Sequence, residues 1–419
     1  MQTYDSYKDS GEQWLGKIPS HWEVKRLNSY FVERRAKVSD KDYAPLSVTK
    51  SGVFPQLENV AKSNDGDNRK LVCKGDFVIN SRSDRKGSSG ISPMDGSVSL
   101  INIVLAPRKG ISSAFCNYLL KMHNFIEEFY RNGHGIVADL WTTKYDEMKM
   151  IKLAIPPFDE QEAMVAYLDR ETAKIDAAIA RQQRMIELLQ ERKQIIIQNA
   201  VTKGLNPDVP MKDSGIDYLG QIPQHWSVYS LKKHITFFNG YAFDSSEFLT
   251  EGEMPVVRIG DITGNAVALD NVVYVQKKDF LTPYETKEED IVIAMSGATT
   301  GKIGVVHNLH GYINQRVGII RSDIQNYIMY CLQIPLFANY ITLSSMGSAQ
   351  PNISSKSIKN FKIALPPAPQ ELDNICRYLN DSIPKIDRVI SNITTQISLL
   401  RERKQIIINE VVTGKIKVV

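Results

Sequence analysis

Toward the end of the chain, apolar residues recur at alternating steps of four and three: Ile386, Ile390, Ile393, Ile397, Leu400, Ile407 and Val411, interrupted at Lys404. That period marks one face of a long amphipathic helix that pairs with a second helix. The same period occurs earlier in Ile175, Ile179, Ile186, Leu189, Ile196 and Ala200, with Gln182 and Lys193 as polar interruptions. The spacing predicts a helix over about 172–203, roughly 48 Å long at a helical rise of about 1.5 Å per residue. It predicts a second helix starting near residue 383, because Pro384 suits a first turn and the Asp381-Ser382 pair can cap it. Apolar seams this long need covering. The simplest partner for each is the other, and since a whole domain separates them in sequence, antiparallel pairing is favoured. The alternative is that each seam packs onto its own domain.

The helices belong to a larger repeat. Residues 8–27, KDSGEQWLGKIPSHWEVKRL, return at 212–231 as KDSGIDYLGQIPQHWSVYSL, with 12 of 20 positions identical. Residues 167–202 return at 378–413 with 18 of 36 identical. The chain is therefore two tandem halves. Between these framing segments, residues 28–155 and 232–365 share almost no identity, although the order of their elements matches. In the first half, Leu71 to Ile79, Ser97 to Leu105 and Met148 to Ile155 look like strands, and Ser113 to Arg131 looks helical. In the second, the expected strands are Pro255 to Ile262, Val267 to Val275, Asp290 to Met295, Ile303 to Val306 and Phe361 to Leu365, with a helix near Ile324 to Ile341. DFVI at 76–79 echoes DIVI at 290–293, and Asn117-Tyr118 echoes Asn326-Tyr327.

The expected fold is mixed α/β: two homologous α+β domains, 1–155 and 206–365, separated by helical regions 156–205 and 366–419 that form an antiparallel coiled-coil pair with pseudo-twofold symmetry. The frame segment 212–231 follows the first long helix directly. By the same packing rule, its twin at 8–27 should dock at the end of the second long helix near Thr413, bringing the two termini together. The repeated His21-Trp22 and His225-Trp226 are expected to anchor these segments against the helix ends.

Composition narrows the classes. The chain has 419 residues with 42% hydrophobic content, enough for several buried cores. Its 51 Lys and Arg against 47 Asp and Glu leave a formal charge of +4, too balanced for a polybasic tail, so any affinity for nucleic acid must come from local clustering. No secretory leader and no membrane-length apolar run is present, so a soluble cytoplasmic protein without membrane contact is expected. Cys73, Cys116, Cys331 and Cys376 stand far apart, which suggests neither a disulfide framework nor a metal site.

The phrases KDSGEQWLGKIPSHWEV, IPPFDEQEAMVAYLDRETAKIDAAI and IELLQERKQIIIQNAVTKG, with their second-half counterparts, resemble the DNA specificity subunit of Type I restriction-modification systems over essentially the whole chain. The resemblance implies two target-recognition domains, each reading one half of a bipartite double-stranded DNA site, held apart by two antiparallel helices. It implies methyltransferase subunits, two of them, that use S-adenosylmethionine, and motor-nuclease subunits that use ATP and Mg²⁺. The chain itself is then a non-catalytic scaffold that binds no cofactor. Domain spacing would set half-site spacing near multiples of a helical turn, about 34 Å. The helix faces carrying Glu191, Arg192, Glu402 and Arg403 are either solvated or part of the methyltransferase docking surface.

Candidate base readers follow the echoed strands. NSRSDRKGSSG places Asn80, Ser81, Arg82, Ser83, Arg85 and Lys86 on a Gly/Ser-rich loop, where arginine or lysine can meet guanine O6 and N7. In the second half AMSGATTGK, YINQRVG and SMGSAQPNISSKSIKN offer Ser296, Thr299, Thr300, Lys302, Gln315, Arg316, Gln350, Asn352 and Lys356, with Gln and Asn suited to adenine. The first-half counterpart of the last segment, NGHGIVADLW, adds His134 and, just beyond it, Lys144. Solvated loops and turn chemistry are the competing reading of these stretches, and even in a DNA complex half or more of the contacts go to phosphate and sugar.

Several enzyme signals fail on their residues. SGATTGK lacks the spacing of a phosphate-binding loop and has Ile303 where a Mg²⁺-binding hydroxyl belongs. IPPF at 155–158 resembles the methyltransferase motif that holds a flipped adenine, but has Ile155 in place of the hydrogen-bonding residue; it and its twin LPPA read as rigid exits from a strand into a helix. The rival to a recognition scaffold is a free-standing DNA methyltransferase or nuclease whose active site these motifs do not reveal.

Overall fold

The structure, a computed structural model, describes residues 2–56, 66–136, 141–269, 272–345 and 351–418. It divides into two compact units, Met1–Gln182 with Thr394–Val419, and Gln183–Ile393. Each unit is mixed α/β and takes a part of each long helix.

In the first unit, a four-stranded antiparallel sheet runs in the order Ser89–Ile91, Phe77–Asn80, Asn102–Pro107, Phe31–Glu33. All four residues of Phe77–Asn80 are buried, as expected of a strand covered on both faces. A three-stranded sheet (Gly96–Val98, Arg69–Val72, Lys37–Val38) and the hairpin Leu46–Thr49/Gly52–Pro55 lie around it, and helices Ser113–Lys121 and His123–Arg131 contribute Phe115, Leu119, Phe125 and Phe129 to the core.

The second unit repeats this skeleton with more strands. Its six-stranded sheet is ordered Thr236–Asn239, Val317–Arg321, Ile291–Ala294, Ile303–Val305, Asn265–Val267, Ile262–Thr263, beside a three-stranded sheet of Val273–Val275, Met254–Val257 and Tyr312–Ile313. Helices Gln325–Gln333, Pro335–Ser345 and Ser355–Asn360 follow. The echoed DFVI and DIVI motifs are the central buried strands of the two sheets. In each, the preceding aspartate is held by a two-pronged arginine: Asp76 by Arg34 at 2.7 and 3.1 Å, Asp290 by Arg321 at 2.7 and 2.6 Å.

The frame segments anchor the ends of the long helices. Trp22 and Trp226 are fully buried, and their indole Nε1–H groups donate to Glu160 at 3.2 Å and Glu371 at 2.9 Å. His21 and His225 approach the same carboxylates at 2.9 Å each, and Tyr4 also donates to Glu160. Each long helix ends at a left-handed glycine: Gly204 at φ 75° beneath Trp226, and Gly414 at φ 72° beneath Pro19 and Trp22. Segment 8–27 does dock beyond Thr413, and Lys417 donates its backbone N–H to Gln2 at 2.9 Å, so the two ends of the described chain meet.

Several expected boundaries are corrected. The first long helix spans Phe158–Lys203, 46 residues, instead of starting near 172, and the second spans Pro369–Val412, 44 residues, with Pro384 inside it. Proline there removes one helix hydrogen bond, but its position is exposed, and Leu379 and Ile383 on the buried side fix the helix up to the proline. The expected helix 113–131 is two helices broken at Met122, whose backbone is extended at φ −66°, ψ 148° and whose side chain is buried. The matching break, at Ile334, precedes Pro335, which disfavours helical geometry in the residue before it.

These matched breaks revise the echo between the helices. Tyr118 corresponds to Tyr330, not Tyr327, and both phenols donate to the first part of the long helix of their half, to Asp169 and Asn380. The strand expected over Leu71 to Ile79 is two strands turned by Gly75 at φ 91°, and Ser97 to Leu105 is likewise two. Val267 to Val275 also splits, and Pro255 to Ile262 is a strand only to Val257. Met148 to Ile155 is a short helical turn, Tyr145–Met148, followed by the strand Lys152–Ile155.

Along the long helices, Ile175, Ile397 and Ile407 are buried, and Ile179, Ile186, Leu189, Ile196, Ile386, Ile390, Ile393 and Leu400 are half-buried. The polar interruptions have partners on the other helix. In the first unit Lys404 holds both Asp176 oxygens at 2.7 Å, and Gln182 donates to Gln396 at 2.9 Å. In the second unit Lys193 holds Asp387 at 2.6 and 2.8 Å. Lys193 and Lys404 occupy equivalent places in the repeat, as do Asp176 and Asp387, so the two ion pairs are one interaction written twice.

Candidate nucleic-acid interface

Each central strand runs directly into a loop, and that loop is clasped by a second one from far along the chain. In the first unit, Ser83 N–H donates to Trp141 O at 3.1 Å and Thr143 N–H to Ser81 O at 3.0 Å. In the second, Gly297 N–H donates to Pro351 O at 3.0 Å and Ile353 N–H to Met295 O at 2.9 Å. The backbone connections correspond pair for pair, and each loop makes one 3₁₀ turn, Ser83–Arg85 or Gly297–Thr299, closed by a left-handed glycine, Gly87 or Gly301. The side chains displayed on this common geometry differ.

In the first unit, Asn80 and Ser81 are buried and serve the loop: Asn80 Oδ1 accepts from Arg82 N–H at 3.0 Å, and its carbonyl accepts from the Tyr130 hydroxyl at 2.9 Å. Burial pushes the Tyr130 phenol well above its ordinary range, so it remains a donor. Arg82, Arg85 and Lys144 are exposed, and Ser83 is half-buried. Arg85 lies 3.7 Å from Asp84, while Lys86 meets Glu127 at 2.7 Å and sits 5.8 Å from the Tyr130 ring centre. His134 exchanges two backbone hydrogen bonds with Thr142, which brings its segment to the clasp, and its ring lies 3.5 Å from Glu147. Trp141 Nε1–H donates to Tyr130 O at 2.8 Å.

In the second unit a third loop joins. Met295 N–H donates to Arg316 O at 2.9 Å, and Arg316 Nη1 donates to the buried Ser296 hydroxyl at 3.2 Å. Thr300 is used internally, donating to Gly297 O and Pro351 O, and Thr299 Oγ1 is buried without a hydrogen-bond partner among the described residues. Lys302, Gln315, Arg316, Asn352 and Lys356 are exposed, and neither Lys302 nor Lys356 forms an ion pair among the described residues. Gln350 lies outside the described residues.

The sequence reading drew candidates from these stretches, Asn352 among them, but did not foresee that Trp141 to Thr143 and Pro351 to Ile353 join the loops after the central strands. Their contribution is made through the backbone, which leaves no side-chain signature. It also missed an internal cluster of lysines, Lys50, Lys121 and Lys404, contributed by three separated elements. The motifs set aside as enzyme signals have structural uses. The SGATTGK turn leads into strand Ile303–Val305, not the helix a phosphate-binding loop requires, and IPPF connects strand Lys152–Ile155 to the long helix. Among the described residues no cluster of three His, Cys, Asp or Glu is placed to hold a metal, and no helix is long and apolar enough to cross a membrane.

The chain is similar to known proteins in sequence and in fold. Residues 223–399 match the family model described as the Type I restriction modification DNA specificity domain. The chain is 24% identical, over 96% of its length and 94% of the relative's, to the Type I restriction enzyme MjaVIII specificity subunit of Methanocaldococcus jannaschii. Its fold is similar to a chain in a solved structure titled as the structural basis of complex assembly and conformational transition of the type I R-M system, with TM-score 0.71, 16% identity, and coverage of 95% of this chain and 99% of that one. It is also similar to the HsdS subunit from Thermoanaerobacter tengcongensis, with TM-score 0.50, 16% identity, and coverage of 95% and 98%.

Proposed function

Because the chain belongs to the family of Type I restriction-modification DNA specificity subunits, we propose that it reads a bipartite, asymmetric DNA site through its two clasped loop clusters and carries the methyltransferase that modifies that site. The observation that carries this reading is the clasp itself: the same backbone hydrogen bonds in both halves hold unlike side chains. A shared geometry suits a common task at two half-sites, and different side chains suit different base sequences.

Arg82, Arg85, Lys86 and Lys144, with Ser83 and His134, are the groups assigned to the first half-site. Lys302, Gln315, Arg316, Asn352 and Lys356, together with Gln350, are assigned to the second. Asn80, Ser81, Ser296, Thr299 and Thr300 act mainly by holding the loops, because their side chains are buried or already bonded within the clasps. Recognition domains 1–155 and 206–365 and helical regions 156–205 and 366–419 are the corresponding division of the chain.

The long helices are assigned a second role as the spacer that fixes the distance between half-sites, as an antiparallel coiled-coil pair. Support comes from the reciprocal ion pairs Lys404–Asp176 and Lys193–Asp387. Outside the seam, Leu188 and Ile195 are 45% and 52% exposed, and their repeat partners Leu399 and Ile406 are 58% and 47% exposed. A doubled exposed apolar stripe suits two copies of one methyltransferase subunit, which would bring S-adenosylmethionine, while a motor-nuclease would bring ATP and Mg²⁺. The chain is assigned no catalytic residue of its own and a place in the cytoplasm.

The experiment is to map N6-methyladenine genome-wide in cells carrying this chain with its methyltransferase. Exchanging loop 81–88 for that of a relative should change one half of the motif and leave the other half and the gap intact. A motif changed in both halves refutes the assignment. The purified chain alone, incubated with DNA and S-adenosylmethionine, should transfer no methyl group; transfer would favour the free-standing enzyme.

A further inference from the structure

The first unit contains a cavity of about 710 Å³ where the end of helix Ser113–Lys121 approaches the two long helices, and its wall is basic. Lys50, Lys86, Lys121 and Lys404 line it, with Glu127 and Asp176 as opposing charges. Both carboxylates are already engaged, Glu127 by Lys86 at 2.7 Å and Asp176 by Lys404 at 2.7 Å. Lys50 and Lys121 form no ion pair among the described residues, which leaves two uncompensated positive charges in one concavity. Lys121 is half-buried, and burial, followed by the neighbouring Lys404 ammonium, holds its amine below the usual lysine range. Placing a cation there is unfavourable until an anion arrives.

The repeat shows that the frame does not need this cation. With the two helical breaks at Met122 and Ile334 matched, Lys121 corresponds to Gln333 in the second unit, while the ion pair formed by Lys404 and Asp176 is kept there as Lys193 and Asp387. The lysine is thus an addition to one half only. Lys86 ties the cavity to the loop assigned to DNA, since it belongs to both.

We propose that this cavity seats a phosphodiester of the DNA backbone beside the first half-site, with Lys50 and Lys121 as its principal cations. The inference rests on the function proposed above and deepens it: the first half-site is gripped at a backbone position for which the second has no lysine counterpart. A contact to phosphate adds affinity and fixes register without reading sequence.

The test is Lys121→Gln, which installs the residue found in the other half, in the full-length chain assembled with its methyltransferase. Binding to the methylated motif and to an unrelated duplex is measured from about 50 to 200 mM salt. The expected result is a several-fold loss on both duplexes alike, a salt slope smaller by about 0.9, and an unchanged methylation motif. Lys50→Gln, on an exposed hairpin turn, should do the same and keeps the test open if the first variant does not fold. An unchanged slope in both variants overturns the proposal, as does an altered motif. Thermal stabilisation of the wild type by inorganic phosphate, lost in Lys121→Gln while DNA binding is unaffected, would assign the cavity to a free anion and also overturns it. If the wild-type complex binds no duplex at all, it is the functional reading that fails.

Discussion

The two reciprocal ion pairs make the helix pairing testable by charge exchange. Lys193→Glu places two carboxylates against each other where Lys193 now holds Asp387 at 2.6 Å. Two unit charges about 4 Å apart interact by about 4 kcal/mol at an effective dielectric constant near 20. The Asp387 side chain is 50% exposed, however, and Lys193 is 16% exposed, so solvent screening reduces the attraction to about 1 kcal/mol. Reversing the sign exchanges that attraction for a similar repulsion, a loss of about 2 kcal/mol. For a unit of this size each kcal/mol shifts the melting temperature by about 2–4 °C, so Lys193→Glu should lower it by about 4–8 °C.

Adding Asp387→Lys should restore more than half of that loss. The mirror pair, Lys404→Glu and Asp176→Lys, should give a coupling of similar size, since its geometry is the same and its exposures are 26% and 56%. Differential scanning calorimetry at low salt and at about 1 M salt is the assay; at the higher salt, where the Debye length is about 3 Å, the coupling should fall by more than half. If Lys193→Glu costs the same with Asp387 present as with Asp387→Ala, the pair contributes nothing and the reasoning from the repeat to the seam is wrong.

Other outcomes follow from the same structure. Arg82→Ala should relax one base position in the first half-site, costing about 1–3 kcal/mol of discrimination there and leaving the second half-site unchanged in methylation maps. Glu371→Gln should destabilise the second unit by about 1–3 kcal/mol in urea unfolding, because it weakens the acceptor for both Trp226 and His225. Gly414→Ala should destabilise more than Gly110→Ala: both glycines have positive φ, but an added Cβ at 414 would lie 2.4 Å from Pro19, whereas the one at 110 meets nothing within 4 Å. Maleimide should leave Cys116 and Cys331 unlabelled in the native protein and label them after unfolding, because both are buried and burial pushes both thiols up; equal native labelling of all four cysteines would contradict this.

What was legible in the sequence is what repeats or alternates. The long amphipathic helices, the two frame segments and the central strands after Asp76 and Asp290 all carry periodic or duplicated signals, and that these elements exist follows from them. The first helix's true start at Phe158 was less visible because its opening turns are held by Met164 and Leu168, which pack into the core of the domain together with Ile175. Pro384 misled because a helix tolerates proline when the residues around it are fixed by packing, a tertiary effect absent from local pattern. The break at Met122 left no trace at all, while its counterpart was announced by Pro335. The clasp between residue 81 and residue 143 is a backbone pairing between distant segments, and no choice of side chain encodes it directly.

The division between frame and loops has a physical basis in the central strands. Phe77–Asn80 and Ile291–Ala294 are buried along their whole length, and the aspartate before each is fixed by a guanidinium. The arginines differ in origin: Arg34 directly follows strand Phe31–Glu33, and Arg321 closes strand Val317–Arg321, the strand next to the central one. The same clamp is therefore met by different sequence in the two halves, so it is the geometry that the fold requires. A loop that leaves such a strand starts from a fixed point, and the clasp fixes it again by main-chain hydrogen bonds that no side-chain exchange removes. Side chains between those two points can change without moving the backbone that presents them. The side chains at equivalent places can then differ between the halves, as Arg82 and Lys86 in one against Ser296 and Thr300 in the other, while the backbone clasp stays the same.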